Sequence, residues 1–249
     1  MNKSQKRKVL VTGGSSGIGK AIVNSLAAQE YSVLTCSKQI DKLLHIKDKM
    51  ASKGLEIFPF QVDLRSENSI KKLFEEIRNI YGGIDILINS AGIGYNAPLI
   101  DSKTRLWREM LDVNVLALCI CTKEALKDMI KNGDQGHIVN ISSLSGHRVY
   151  KEGGVYAATK FSITAITESL RLELRNLDSK IKITQISPGL VKTNFHKKYY
   201  NDESTVNDIY SKFEPLSGDD IARAVSYVLS QPQNVQVHDI LIRPLGQHG

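Results

Sequence analysis

The sequence predicts an α/β fold: a doubly wound, parallel, seven-stranded sheet with helices on both faces, in a single domain spanning 1–249. Three observations predict it. Short β-rich runs alternate with stretches of helical period along the whole chain. The strands are near-continuous Val/Ile/Leu runs, as strands covered on both faces should be. Neither a repeat, a Pro/Gly linker nor a shift in composition divides the 249 residues, a length that one large α/β domain accommodates.

In chain order, Val9–Thr12 reads as the first strand, and Ile18, Ile22 and Leu26 mark one face of the helix after it. Ser32–Cys36 follows, then a polar helix near Asp41–Lys53. Leu55–Phe60 is the third strand, and Ile70, Leu73, Phe74 and Ile77 then meet the i, i+3, i+4, i+7 template. Ile84–Ile88 and His137–Ile141 flank a long helix. Within it, Val115–Cys121 is apolar on every side and therefore buried; Trp107, Met110 and Leu111 are read as helix packing. Ile163, Ile166, Leu170, Leu174 and Leu177 stripe the next helix, and Ile181–Ile186 and Asp239–Ile242 complete the sheet. Parallel strands joined through helices require right-handed crossovers. The segment 194–214 is polar, Tyr-rich and weakly periodic. It follows a strand end, where ligands of open α/β sheets bind, and is expected to form a flap over the site.

Composition excludes several classes. Hydrophobic residues at 41% and charged residues at 24% rule against disorder. The longest apolar run, Val115–Cys121, falls far short of the about 20 residues that span a bilayer. Met1–Lys8 is polar and leads straight into Val9–Val11, too short an apolar stretch for a secretory signal, so a cytoplasmic protein is expected. Cys36, Cys119 and Cys121 form no CxxC pair and have no histidine at ligand spacing, so no metal is expected. Lys plus Arg is 33 and Asp plus Glu is 26, a net charge of +7. The basic residues are spread among acids, as in Lys71-Lys72 with Glu75-Glu76, rather than gathered in a stripe with aromatics, so no nucleic-acid partner is expected. Lys3–Lys8 reads as a solubilising tail, with attraction to a membrane surface as the lesser reading, and His147-Arg148 as a solvated loop rather than a lining of the pocket mouth.

Thr12-Gly13-Gly14-Ser15-Ser16-Gly17-Ile18-Gly19 joins the first strand to the first helix. Glycines there allow a tight turn and close approach of backbone to a pyrophosphate at the positive helix N-terminus. A plain βα turn would carry the same residues, but this placement favours the anion. Cys36-Ser37-Lys38 ends the second strand without the acid that holds the ribose diol of NAD. Ser37 and Lys38 offer a hydroxyl and a cation to a 2′-phosphate instead, so NADP(H) is expected over NAD(H).

Tyr156 and Lys160 lie four apart, on one helix face. A phenol with an ammonium beside it is a usable acid/base, because the cation favours phenolate. Spacing alone would also fit a surface pair. The context weighs against that: Ser142-Ser143, Asn89-Ser90-Ala91-Gly92 and Pro188-Gly189 each end a strand at the same sheet edge. Ser143 stands 13 positions before Tyr156 and offers a hydroxyl to a substrate oxygen.

Together Gly13, Gly17, Gly19, Asn89–Gly92, Asn114, Ser143, Tyr156-x-x-x-Lys160 and Pro188-Gly189 resemble the motif set of the classical short-chain dehydrogenase/reductases, over essentially the whole chain. Asp112–Leu118, Ser143–Val149, Ile186–Val191 and Asp239–Pro244 resemble the branch that holds dehydrogenase/reductase member eleven and the farnesol dehydrogenases. The resemblance implies a Rossmann-type fold and an NADP(H)-dependent alcohol/carbonyl oxidoreductase. Tyr156 would move the proton, Ser143 polarise the substrate oxygen, Lys160 bind ribose and lower the tyrosine pKa, and Asn114 hold a water. Gly13, Ser15, Ser16, Gly17, Ile18, Gly19, Ser37, Lys38, Asp63, Leu64, Asn89, Ala91, Gly92, Pro188, Gly189, Val191 and Thr193 would bind the coenzyme. Ser90 stands where the family usually has a second asparagine. The implied substrate is a small apolar alcohol, ketone or aldehyde, terpenoid (such as farnesol) or steroid-like, and the implied assembly is a homodimer or homotetramer pairing Thr104–Lys131 and Gly154–Leu177. A dinucleotide-binding sensor without turnover is the other reading.

Overall fold

A computed structural model describes residues 6–151 and 153–247; the basic run Lys3–Lys8 begins outside the described residues. The chain runs β1 (Lys8–Thr12), α1 (Gly17–Ala27), β2 (Ser32–Ser37), α2 (Ile40–Ala51), β3 (Ile57–Gln61), α3 (Glu67–Tyr81) and β4 (Ile86–Asn89). It continues through α4 (Thr104–Leu111), a π-helical turn (Asp112–Leu116), α5 (Ala117–Lys131), β5 (Gln135–Ile141), a 3-10 turn (Leu144–Gly146) and α6 (Gly154–Asn176). Last come β6 (Lys180–Pro188), α7 (Asn194–Tyr200), α8 (Glu203–Ser211), α9 (Gly218–Ser230) and β7 (Asp239–Ile242).

The seven strands are ordered β3-β2-β1-β4-β5-β6-β7, every pair parallel. Winding runs outward in both directions from β1 and β4, which makes their C-terminal ends the crevice of the sheet. Alternation along each strand supplies two cores. Val9 and Val11 of β1 face α1, α2 and α9, which contribute Ile22, Leu43 and Val225; Leu10 faces α3, α5 and α6, which contribute Phe74, Ala125 and Leu174. Pro59 sits in edge strand β3, where one missing donor is tolerated.

Strand ends shift from the sequence expectation by one or two residues because the ladder decides them. Ser37 pairs with Gln61 and extends β2. The Leu55 N–H instead donates to the Met50 carbonyl at 3.0 Å, closing the end of α2, so β3 starts later. The long helix before β5 is interrupted by the π turn, and Asn114 lies in it. Such turns displace one residue from the helical register and cluster at functional sites. Asn114 uses the displacement to clamp the loop after β4: its Oδ1 accepts from Ile93 N at 2.8 Å, and its Nδ2 donates to Ile93 O at 2.8 Å and Thr159 Oγ1 at 3.0 Å. The segment 194–214 forms α7 and α8, capped by Thr193 and Asp202. Its base is pinned by Lys192 N donating to Leu216 O at 2.7 Å and Leu216 N to Leu190 O at 3.0 Å. Among the described residues no helix is long and apolar enough to cross a membrane, and no cluster of metal-ligating side chains occurs.

Candidate active site

One crevice of about 800 Å³ lies along the C-terminal strand ends. At its floor the chain between β1 and α1 folds tightly. Gly13 has φ +74° and Gly17 has φ +54°, which favour glycine. A Cβ on Gly13 would stand 2.8 Å from Ala91 Cα, and one on Gly19 would stand 2.4 Å from Gly13 O. Thr12 Oγ1 accepts from Ser90 N and Ala91 N, both at 3.1 Å, and so joins this turn to the end of β4. The α1 N-cap, Ser16, makes no side-chain cap bond, leaving first-turn N–H groups to serve an anion. A cradle that excludes side chains beside an uncapped helix start fits a pyrophosphate.

At the β2 end of the crevice, Ser15 Oγ and Ser37 Oγ lie 2.8 Å apart. Lys38 Nζ stands 3.7 Å from Asp63 Oδ2, and Arg65 grips the same carboxylate through Nε at 3.0 Å and Nη2 at 2.6 Å. The Arg65 hydrogen bond, above all, holds the Asp63 carboxyl down at about 2. Arg65 lines the crevice and was absent from the sequence reading; a cation two residues past a strand-end acid was the available signal.

At the β5–β6 end, α6 presents Tyr156 and Lys160 one turn apart. Ser143, the residue that caps the 3-10 turn after β5, lines the same end of the crevice as Tyr156. Lys160 is buried and donates to Ile141 O at 3.1 Å, with Nζ 5.8 Å from the Tyr156 ring centre. Burial pushes the Tyr156 phenol up to about 12, with Ser143 opposing it, and burial pushes the Lys160 ammonium down to about 8. The sequence led us to expect a phenol lowered by its lysine. In the structure desolvation outweighs any such effect, and the lysine is not among the groups that set the tyrosine's value.

Most of the residues singled out from sequence line this one crevice: Gly13, Ser15–Gly19, Ser37, Lys38, Asp63, Leu64, Ala91, Gly92, Ser143, Tyr156, Lys160, Pro188, Gly189, Val191 and Thr193. Two asparagines lie behind its wall. Asn89 donates to Asn140 Oδ1 at 2.9 Å and Thr122 Oγ1 at 3.1 Å, tying β4 to β5 and α5 instead of reaching a coenzyme. Asn114 donates both amide hydrogens, to Ile93 O and Thr159 Oγ1, and accepts from Ile93 N. Over the reacting end, α7 lays Phe195 and Tyr199 against Tyr156, with ring centres 5.4 and 5.6 Å away. Asn96 N donates to Tyr199 O at 2.9 Å, which seats α7 on the loop after β4. His196 Nδ1 meets Tyr210 Oη at 2.9 Å, joining α7 to α8. Sequence periodicity was too weak here to assign these aromatics to the site.

The pattern of the short chain dehydrogenase family matches residues 7–204. The chain is 42% identical over 253 residues to dehydrogenase/reductase SDR family member 11 of Gallus gallus, covering 99% of both chains. It is 36% identical over 251 residues to a farnesol dehydrogenase of Aedes aegypti, again covering 99% of both. Among solved structures, the closed form of a serine dehydrogenase complexed with NADP+ superposes with a TM-score of 0.91 at 28% identity, over 97% of this chain and 96% of that one.

Lys160 gives a test of the geometry. Its value in the fold, about 8, lies below its ordinary 10.5, a difference that corresponds to about 3 kcal/mol. The unfolded chain therefore binds more protons between those values, and stability rises as pH climbs through them. Lys160→Met should be the more stable protein at pH 7 by up to about 3 kcal/mol, and this gap should close between pH 8 and 10.5. Urea unfolding across that range measures it; a gap independent of pH would mean that the ammonium is not buried at a cost.

Proposed function

The chain belongs to the short-chain dehydrogenase family, oxidoreductases that use NAD(P), and from that premise we propose that it is a cytoplasmic NADP(H)-dependent enzyme interconverting a small apolar alcohol with its ketone or aldehyde. The observation that carries this reading is the meeting of Ser143, Tyr156 and Lys160 in the same crevice as the glycine cradle. The coenzyme supplies the hydride acceptor or donor when bound. Tyr156 Oη gives or takes the proton of the reacting oxygen. The Ser143 hydroxyl holds that oxygen in place, so charge developing on it meets a fixed donor. Lys160 holds a cation beneath the site and binds the coenzyme ribose. Phe195, Tyr199 and the Tyr156 ring exclude water, which strengthens every polar contact within.

The aromatic cover supports an apolar substrate, and the farnesol dehydrogenase relative points to terpenoid alcohols, with steroid-like alcohols of similar size beside them. Ser37 and Lys38 serve the 2′-phosphate. A homodimer or homotetramer would cover the exposed Leu111, Leu116, Phe161 and Leu172 on the helices of residues 104–131 and 154–176.

Purified protein with NADP+ and a panel of terpenoid and steroid alcohols should show turnover by absorbance at the reduced nicotinamide band. Tyr156→Phe should lower kcat about 1000-fold with NADPH affinity, followed by fluorescence, nearly unchanged. Turnover that survives in this variant would refute the assignment. Lys38→Asp should weaken NADPH relative to NADH by at least about tenfold; an unchanged ratio would remove Lys38 from the 2′-phosphate site.

A further inference from the structure

Ser143 does not hold itself in place. It caps a 3-10 turn, accepting from Ser145 N at 3.1 Å, and the turn is only three residues long. His147 closes the other end, its N–H donating to Leu144 O at 3.0 Å. Its imidazole then leaves the turn and enters a polar cluster on the last two strands. Nε2 lies 2.9 Å from Ser187 Oγ on β6 and 3.2 Å from Asp239 Oδ2 on β7. None of these three residues lines the crevice.

Proton accounting sets the direction of the bonds. The Ser187 hydroxyl has one hydrogen, and it goes to Asp239 Oδ1 at 3.0 Å. Ser187 Oγ therefore accepts from His147, and Nε2 carries the hydrogen. Gln185 braces the same cluster: its Nε2 reaches Asp239 Oδ2 at 3.3 Å and Thr164 Oγ1 at 3.1 Å. Its Oε1 is buried without a partner. Turned over, the amide would bring its oxygen to 3.3 Å from His147 Nε2 but equally close to the Asp239 carboxylate, a repulsion that the present orientation avoids. The orphaned oxygen is thus the cost of keeping the donors on Asp239 and Thr164. Thr164 in turn donates to Gly146 O at 3.3 Å and lies 3.4 Å from Lys160 O on α6. The cluster so connects three bodies: the turn bearing Ser143, the helix bearing Tyr156 and Lys160, and the end of the sheet.

We infer that His147 is a positioning residue: by binding Ser187 and Asp239 it fixes the Ser143 turn against α6 and so sets the Ser143 hydroxyl relative to Tyr156. The sequence suggested a solvated loop at this histidine, and the structure places it in the cluster instead. A displacement of the Ser143 hydroxyl of the order of 1 Å is enough to slow a reaction strongly while leaving coenzyme binding alone. This inference rests on the proposed roles of Ser143 and Tyr156.

The test compares His147→Ala with His147→Gln in steady-state turnover, with NADPH affinity read by fluorescence. Gln carries an N–H donor at about the reach of Nε2; Ala carries none. His147→Ala should lower kcat about tenfold, with KM and NADPH affinity within twofold, and His147→Gln should recover most of the lost rate. If the Ala variant fails to fold, Asp239→Asn, which turns one acceptor into a donor facing Nε2–H, should give the same selective loss in kcat. Full turnover in His147→Ala would overturn the inference, as would a loss that Gln does not repair. Tyr156→Phe run alongside separates the two ideas: an active Tyr156→Phe sinks the proposed function, whereas an inactive one beside a fully active His147→Ala sinks the positioning role alone.

Discussion

The site depends on a buried ammonium. Lys160 is 5% exposed and meets one backbone carbonyl, that of Ile141, at the end of a central strand. Burying a cation with so little compensation is unfavourable, and the fold maintains it by packing around it. Thr159 next to it accepts from Asn114 and donates to Tyr156 O, and Ser142 donates to Lys160 O. Gly146 leaves room: a Cβ there would stand 2.8 Å from Lys160 O. Such a strained site is stable only where the surroundings over-determine it, which is a usual trade of stability for function.

The same packing fixes the two ends of the crevice to each other. The glycine turn, the end of β4 and the π turn are joined through Thr12 and Asn114, and the Asn114 clamp passes on to Thr159. The glycine turn and the Tyr156 end of the crevice are therefore held by one continuous set of hydrogen bonds. The aromatic cover of α7 is seated on that set by a backbone bond at Asn96 and by its ring contacts with Tyr156.

What sequence could show follows from what is local. The strand–helix alternation, the glycine spacing and the Tyr156/Lys160 pair are set within a few residues, and each reappears in the structure where its period places it. Lys38 and Asp63 were readable as strand-end residues, but their meeting with Arg65 depends on β2 and β3 being neighbours. Asn89 and Asn114 show the limit most clearly. Both stand in motifs at the site, yet their side chains turn into the packing, and only partners on β5, α5 and α6 reveal it. The direction of the Tyr156 shift was likewise out of reach, because desolvation is a sum over the whole surroundings. His147 was misread for the same reason, its partners Ser187 and Asp239 lying far along the chain on the last two strands.

In the proposed reaction Tyr156, held high by burial, becomes the working acid/base once the coenzyme completes the site. The direct measurement is ultraviolet difference titration of the tyrosinate band, parent minus Tyr156→Phe, with and without saturating NADP+. Without coenzyme the phenol should titrate at about 12; with it, the positive nicotinamide and the lysine together should bring the value down by roughly three pH units or more. A phenol that titrates at the same value in both states would contradict the account.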